Sequence, residues 1–214
     1  MPVKLREMIN EHTEIGVWEI TEETDGLISR LDLSEKEQEV YESFVNEQRK
    51  KQWLSYRCLF KEILKDIPVH IEYDKNRKPF IRNHPCHISV SHAGNYSAVI
   101  LSGRQKVGID IEKISPRIEK IASRFVHPDE IHLLDGPDRL EKLYLIWGAK
   151  EALYKLYGKK ELDFRYDIVI NNFELKASGG FEGFVIKNND RVKSELQYRF
   201  LNGYSLVYTA VTQE

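Results

Sequence analysis

The feature that most constrains this chain is a pair of acids inside a stretch that otherwise reads as a buried strand. VGIDIE runs from Val107 to Glu112. Side chains two residues apart on a strand point to the same face, so Asp110 and Glu112 lie together while Ile109 and Ile111 face the other way. Two neighbouring carboxylates on a half-buried surface cost free energy unless a positive charge, a proton or hydrogen bonds compensate them. Either a positive group lies there, or the strand is an edge strand with both acids in water.

Composition limits the classes of protein to which the chain can belong. Its 214 residues are 41% hydrophobic and 11% aromatic, enough for one large domain or two small ones with packed cores. No run of about 18 apolar residues could span a bilayer, and the first residues, MPVKLREMIN, lack the apolar core of a secretory signal. We therefore expect a cytoplasmic protein with no membrane partner.

Charge and cysteine content narrow the chemistry. A formal charge of −2 gives no general basic field for nucleic acid, so an anionic ligand must be held by a local cluster. Cys58 and Cys86 do not have metal-ligand spacing, and we expect both to be free thiols.

In the first half, a short strand is predicted at Val17–Ile20, and a long helical stretch follows it. This stretch is helical from Ser34, a predicted N-cap, to about Asp66, with a bend near Asn46. An apolar stripe typical of core follows helical spacing in its second part: Trp53, Tyr56, Phe60, Ile63 and Leu64. A basic stripe runs beside it and, taken alone, indicates a solvent-exposed face: Lys50, Arg57 and Lys61.

Segments rich in β-branched and aromatic residues predict the strands. In the first half these are VHIEYDKNRKPFI, HISVSH and YSAVILSG, with turns at 74–76, 83–85 and 93–95. In the second half, the strand VGIDIE precedes helical segments at Arg117–Phe125, Asp129–Leu134 and Pro137–Tyr157. The last predicted strands are Phe164–Asn171, Phe181–Ile186, Glu195–Leu201 and Tyr204–Val211, with turns at 178–180, 188–190 and 202–203. This order predicts an α+β fold of two lobes, residues 1–103 and 104–214, joined near Ser102–Lys106, with a site that draws on both.

A third acid lies in the last predicted helix, within WGAKEALYKLYG. Trp147, Glu151 and Lys155 are spaced by four and share a face, while Lys150 is offset from them. On its own, Glu151 with Lys155 is an ordinary surface ion pair. Together with the two strand acids, however, it gives three carboxylates from two elements. Such a set could hold a hard divalent ion and leave positions open for water and phosphate oxygens.

A phosphate-bearing ligand would also explain His92, which ends the predicted strand HISVSH where the chain opens into a turn. A single histidine is more often an ordinary surface or core residue, so His92 carries weight only alongside the other motifs.

Four motifs occur in a fixed order: KPF, SVSHAG, GIDIE and WGAKEALYK. In this order and spacing they resemble the two-lobed, surfactin-synthetase-activating class of 4'-phosphopantetheinyl transferases. The resemblance runs from about Ser34 to Tyr157. It implies two similar α/β lobes related by pseudo-two-fold symmetry, each a small sheet packed on a long helix, with the active site in the cleft between the lobes.

The resemblance also implies an activity. Family members move the phosphopantetheine arm of coenzyme A to a serine of an apo acyl or peptidyl carrier protein and release 3',5'-ADP. They require Mg²⁺, for which Mn²⁺ is an alternative. By this resemblance Asp110, Glu112 and Glu151 are the metal ligands, and Lys155 contacts the pyrophosphate. We favour Glu151 as the base that takes the serine proton, directly or through water.

Coenzyme A contacts are implied in both lobes. Lys78, Ser91 and His92 match positions in the first lobe, and Asp110, Lys150 and Lys155 match positions in the second. The basic stripe would grip the 3'-phosphate and adenine, with Arg57 the best candidate and Lys50 and Arg49 next. One departure is that the family usually has SHS where this chain has Ser91-His92-Ala93. The region Arg117–Asp135 resembles the part that meets the carrier.

Two other functions fit parts of the pattern. A metal-dependent phosphohydrolase could also use three acids, Mg²⁺ and a lysine for attack by water on phosphate. A noncatalytic module that binds coenzyme A or carrier domains would keep the surface without the chemistry. We expect a monomer, because two lobes in one chain could form the site between them without a partner.

Overall fold

The computed structural model describes residues 2–65, 67–158, 162–187 and 190–212. It divides the chain into two compact units, Met1–Arg104 and Gln105–Glu214. Each unit packs an antiparallel sheet on its longest helix, so the protein is a mixed α and β structure. Two predictions lie partly outside the described residues: the helix end at Asp66 and the turn that includes residues 188 and 189.

The first unit is built on a four-stranded sheet with the order β1-β2-β6-β5 and carries a separate two-stranded sheet. Its strands are β1 (Val3–Asn10), β2 (Thr13–Glu19), β3 (Ile71–Tyr73), β4 (Pro79–Ile81), β5 (His87–Ala93) and β6 (Tyr96–Ser102). Its helices are α1 (Thr24–Ile28), α2 (Glu35–Glu42) and α3 (Glu47–Leu64). The sequence prediction missed β1, which lies at the sheet edge and keeps many charged residues exposed, so its pattern shows no buried face.

The predicted long helix is two helices, and side-chain caps explain the break. Ser34 caps α2 in a capping box, since its side chain accepts from the Glu37 amide and the Glu37 carboxylate accepts from the Ser34 amide. Asn46 caps α3 by accepting from the backbone N–H of Arg49. The N-cap at Ser34 and the bend near Asn46 are confirmed. The predicted apolar stripe is buried except for Leu64, which is partly buried.

Arg57 is not on an exposed basic face. Its side chain is 1% exposed, its Nε donates to Glu37 Oε1 at 3.2 Å, and its guanidinium lies 3.3 Å from the centre of the Trp53 ring. Glu37 also accepts from the amide of Ile71 at 3.1 Å and lies 3.0 Å from Nδ1 of His70. The exposed stripe was therefore wrong at Arg57, because α2 and the chain before β3 cover that face of α3 with an acidic partner.

Burial alone would raise the pKa of Glu37, but the hydrogen bonds from His70 and the backbone, together with the charge of Arg57, hold it below its usual value. Glu37 is thus an ionised side chain in the interior of the first unit. The Arg57–Glu37 ion pair joins α2, α3 and the start of β3, which are distant from one another in sequence.

The second unit is built on a five-stranded sheet with the order β7-β11-β10-β9-β8. Its strands are β7 (Gln105–Lys113), β8 (Ile168–Ile170), β9 (Ser178–Lys187), β10 (Asp190–Leu201) and β11 (Tyr204–Thr212). It also contains α4 (Arg139–Tyr157) and two 3-10 helical segments, Pro116–Arg124 and Pro128–Leu134. The predicted turn at Asn202-Gly203 is confirmed, with both residues at positive φ.

Two local predictions in this unit were wrong. The predicted turn at 178–180 belongs to β9, because Gly179 and Gly180 pair with Tyr198 and Gln197 of β10. A Cβ on Gly179 would lie 3.1 Å from the Tyr198 ring, so glycine allows the ring to cross the strand there. The predicted strand at Phe164–Asn171 is only Ile168–Ile170. The side chain of Asp163 accepts from the amides of Arg165 and Tyr166 and so holds the residues just before the strand in a turn.

Across the described ranges, no helix combines the length and apolar character needed to cross a bilayer. Cys58 and Cys86 are free thiols, as predicted, and burial raises the pKa of Cys58 to about 12.

Replacing Arg57 with Met should lower the free energy of unfolding by about 3–5 kcal/mol, because it leaves the Glu37 carboxylate buried without its cation. Urea unfolding followed by circular dichroism measures this. Lys61→Met is the matched control on the same helix and should cost less than about 1 kcal/mol, since Lys61 is exposed. Equal stability of the two variants would contradict a structural role for Arg57.

Candidate active site

The predicted acidic strand lies directly against the predicted acidic helix. Gly108 makes this possible, because a Cβ at that position would lie 2.0 Å from the carbonyl oxygen of Ala152 in α4. Gly148 provides a second small position on α4, where a Cβ would meet Val207 at 3.0 Å and Asp110 Oδ2 at 3.6 Å. Any larger residue at Gly108 would separate the two elements. The motif glycine thus sets the distance between the two sets of side chains.

Lys155 supplies the positive group that the strand acids require. Its Nζ donates to Asp110 Oδ1 at 2.8 Å and to the carbonyl oxygen of Ile109 at 2.9 Å. Asp110 is 3% exposed although β7 is at the sheet edge, so the alternative of both acids in water is wrong. Glu112, which is half-buried, accepts instead from the Trp147 indole N–H at 3.4 Å.

The remaining two carboxyls have raised pKa values. Burial raises the pKa of Glu112 to about 7, with added repulsion from Asp110 and Glu151, partly offset by Trp147 and Lys155. Burial also raises the pKa of Glu151 to about 6, with repulsion from Asp110, although Lys155 acts in the opposite direction. The three acids predicted from two separate motifs therefore act on one another electrostatically.

A metal site is not preformed by these acids. Within the part of the chain that the structure describes, no three His, Cys, Asp or Glu side chains are grouped so that they could hold a metal ion. At Asp110, one carboxylate oxygen is already paired with the Lys155 ammonium, so in this structure it faces a lysine where a metal ligand would face an ion. Chemically the donors fit Mg²⁺, which prefers a few carboxylate oxygens. Their mutual repulsion is also of the kind that a cation relieves.

Lys150 is not at this site. It is 0% exposed, and its Nζ lies 3.0 Å from Glu130 Oε1, 2.9 Å from the Phe164 carbonyl oxygen and 2.6 Å from that of Ile168. Burial lowers the pKa of Lys150, while Glu130 acts to raise it. All three partners of the ammonium are protein groups inside the second unit, so these contacts give no support to the predicted coenzyme A contact at Lys150, which stays a prediction.

His92, predicted from the first half, lies within the first unit next to a cation. Arg49 of α3 donates from Nη1 to Nε2 of His92 in β5. Two glutamines fix this arrangement, because Gln48 and Gln52 donate to the carbonyl oxygen of Gly94 at 2.7 and 3.0 Å. The hairpin that carries His92 is thereby held against the start of α3.

The other predicted contacts of the first unit have different surroundings. Ser91 is buried in β5, and Lys78 is half-buried just before β4. Lys50 lies 2.8 Å from Glu47 and 5.6 Å from the centre of the Tyr41 ring. The sequence favoured Arg57 over Arg49 as a contact for the phosphate. In the structure Arg49 is half-buried and Arg57 is 1% exposed, so Arg49 is the more accessible of the two. The sequence signal for this difference is the start of α3 at Glu47, which places Arg49 in the first turn of the helix.

Comparison with known proteins gives the motifs a family. Residues 106–208 match the family model of the 4'-phosphopantetheinyl transferase superfamily. Over these residues the chain is therefore similar to members of this superfamily. The match contains β7 from its second residue and all of α4, and so includes Asp110, Glu112, Glu151 and Lys155.

Individual members of the superfamily resemble the chain at moderate identity. The 4'-phosphopantetheinyl transferase AcpT of Escherichia coli K12 is 31% identical over 51% of this chain and 59% of its own length. The transferase Sfp of Bacillus subtilis is 27% identical over 63% of this chain and 69% of its own length. The transferase gsp of Aneurinibacillus migulanus is 30% identical over 59% of this chain and 56% of its own length. The match with the Escherichia coli protein thus covers less than two thirds of that relative.

Gly108→Ala should disrupt the superfamily motif without removing any functional group. The added methyl would meet the α4 backbone, and overpacking of this kind costs about 1–3 kcal/mol or more. We expect a lower midpoint of thermal unfolding. Gly103→Ala is the control, because a Cβ there has nothing within 4 Å and φ is not positive. If the Gly108 variant unfolds at the same temperature as the control, the close approach of β7 and α4 does not constrain the unit.

Proposed function

We propose that the protein transfers the 4'-phosphopantetheine arm of coenzyme A to a serine of an apo acyl or peptidyl carrier protein and releases 3',5'-ADP. The observation that carries this proposal is the approach of β7 to α4, which brings Asp110 and Lys155 within 2.8 Å of each other inside the matched segment. The names of the relatives support the same activity.

In this reaction the protein forms no covalent bond to the substrate, and it acts by positioning the reacting groups and stabilising charge. The serine oxygen forms a bond to the β-phosphorus of the coenzyme A pyrophosphate as the bond from that phosphorus to the ADP oxygen breaks. The serine proton goes to a base, and charge builds on the phosphate oxygens. Lys155 would neutralise part of that charge, and Glu151 is our proposed base. Burial raises the pKa of Glu151 to about 6 in the metal-free protein, so its carboxylate is mostly ionised there at neutral pH.

Asp110, Glu112 and Glu151 would hold Mg²⁺, or Mn²⁺ as an alternative. Bound there, the ion would polarise the phosphoryl oxygens as a Lewis acid. Lys155 must then exchange its bond with Asp110 for one with the substrate. A lysine suits this exchange, since its flexible stem can move the ammonium between acceptors.

Recognition of the nucleotide would use the first unit. Arg49 and His92 are neighbours on α3 and β5. Protonation of His92 would replace the hydrogen bond from Arg49 to Nε2, and both side chains could then donate to an anion between them. We propose this pair, with Lys78, Ser91 and Lys50, as the grip on the coenzyme A phosphates. Arg57 would support α3 from inside, because its guanidinium is committed to Glu37.

We also propose that the two units are related by pseudo-two-fold symmetry and that the active site lies in a cleft between them. We further propose that the protein is a monomer and is located in the cytoplasm. The contact of Arg117–Asp135 with the carrier is another proposal.

The direct test is mass spectrometry of a panel of apo-carrier proteins after incubation with the protein, coenzyme A and Mg²⁺. We expect a gain equal to the phosphopantetheine arm on at least one carrier, and loss of the reaction with EDTA. Glu151→Gln should abolish the gain while coenzyme A binding, measured by calorimetry, is largely retained. Near-normal turnover of that variant would rule out both roles of Glu151. Release of phosphate or ADP without any carrier would instead indicate a phosphohydrolase, and binding without turnover a noncatalytic module.

The proposed phosphate grip predicts a difference between two substrates. Arg49→Met should raise the KM for coenzyme A about tenfold or more, because a charge-assisted contact to the 3'-phosphate is lost, and should affect dephospho-coenzyme A much less. Steady-state kinetics with both substrates measures this. Lys61→Met serves as the control on the same helix and should leave both KM values unchanged. Equal effects of Arg49→Met on the two substrates would place Arg49 away from the 3'-phosphate.

A further inference from the structure

A buried ion pair lies behind the helix that carries Glu151. Lys150 and Glu130 both have 0% exposed side chains, and Lys150 Nζ lies 3.0 Å from Glu130 Oε1. Removing two charges from water is costly, and a buried pair of this kind is often no better for stability than well-packed apolar side chains. Its presence next to Glu151 therefore calls for a reason other than net stability.

The pair connects three separate segments of the second unit. Lys150 donates to the carbonyl oxygens of Phe164 and Ile168, at 2.9 and 2.6 Å. Glu130 accepts from the Ile170 amide at 2.8 Å and, with its other oxygen, from the His127 amide at 2.7 Å. The segment 162–170 and the 3-10 segment Pro128–Leu134 are thus both fastened to α4 at one point.

Contacts continue from this point to the acidic site. The Phe164 ring, whose carbonyl Lys150 holds, lies 5.5 Å from the Trp147 ring and 5.2 Å from the Tyr154 ring, measured between centroids. Trp147 is also packed edge-on against Phe125, at 5.1 Å. The indole N–H of Trp147 then donates to Glu112 Oε1.

We propose that the Lys150–Glu130 pair is a positioning device for the acidic site, acting on Glu112 through Phe164 and Trp147. The inference rests on the proposed function only where it concerns turnover. Lys150 does not touch the reacting groups, so it is a positioning residue and not a catalytic one. Its lysine side chain is required because one ammonium must donate to two carbonyls and a carboxylate at once, which no apolar side chain can do.

Two variants distinguish an effect on the position of Trp147 and Glu112 from an effect on the stability of the second unit. Lys150→Met leaves Glu130 as an uncompensated buried charge and should destabilise the unit. Lys150→Met/Glu130→Gln removes both charges, and the new amide oxygen can still accept from Ile170, so this double variant should unfold at a higher temperature than Lys150→Met. Its midpoint of thermal unfolding should stay below that of the wild type, because the Phe164 and Ile168 carbonyls and the His127 amide each lose a partner. Lys176→Met is the control, because Lys176 belongs to an exposed pair with Glu174.

The first measurement needs no substrate. Trp18 and Trp53 are 0% and 1% exposed, so acrylamide quenching of tryptophan fluorescence reports mainly on the half-buried Trp147. With the Phe164 segment released, the quenching constant should rise about twofold in the double variant and stay unchanged in Lys176→Met. An unchanged quenching constant in the double variant would overturn the proposed route through Phe164 and Trp147.

The second measurement is kinetic. We expect kcat for phosphopantetheine transfer to fall about tenfold in both Lys150 variants, as for other groups that orient a site from behind, with the KM for coenzyme A changed less than about twofold. A merely structural pair would let kcat recover together with stability in the double variant, and that result would overturn the proposal. If the wild-type protein transfers nothing to any carrier, the proposed function fails, while the quenching experiment still decides whether the pair holds Trp147 in place.

Discussion

The backbone of β7 lies directly against the backbone of α4 at Gly108, and the candidate site depends on this contact. A residue with a side chain at that position would have its Cβ 2.0 Å from the Ala152 carbonyl oxygen. Without the close approach, the acids of GIDIE would face a helix too distant to reach them. With it, Lys155 reaches Asp110, Trp147 reaches Glu112, and Glu151 influences both acids.

The positive group that compensates the acids of β7 is the ammonium of Lys155. Two carboxylates on one face of a strand need compensation, and Lys155 provides it for Asp110 through an ion pair at 2.8 Å. Burial raises the pKa values of Glu112 and Glu151, and repulsion from Asp110 adds to the effect, while Lys155 offsets it only in part. In the proposed function, these acids would hold the cation, which would offset their mutual repulsion, and Lys155 would contact the phosphate.

Two residues predicted to touch coenzyme A turned out to belong to buried ion pairs. Arg57 pairs with Glu37 and Lys150 with Glu130, and in each pair both side chains are almost fully buried. Helical phase showed correctly which basic residues share a face with one another. It could not show that an acid from a distant segment covers that face, because such a contact depends on the packing of α2 on α3 and of a 3-10 segment on α4. Each unit therefore has an internal ion pair behind a helix that carries proposed site residues.

The sequence by itself determined the local elements and the chemistry of the motifs. The cap at Ser34, the break near Asn46, the turn at Asn202-Gly203 and the shared face of Asp110 with Glu112 all follow from short-range rules, because capping, turn conformation and strand alternation act within a few residues. Only the tertiary structure decided which polar side chains meet: Lys155 with Asp110, Arg49 with His92, Lys150 with Glu130. Those pairings join residues far apart in the chain, and their energies depend on burial and distance, which no local pattern contains.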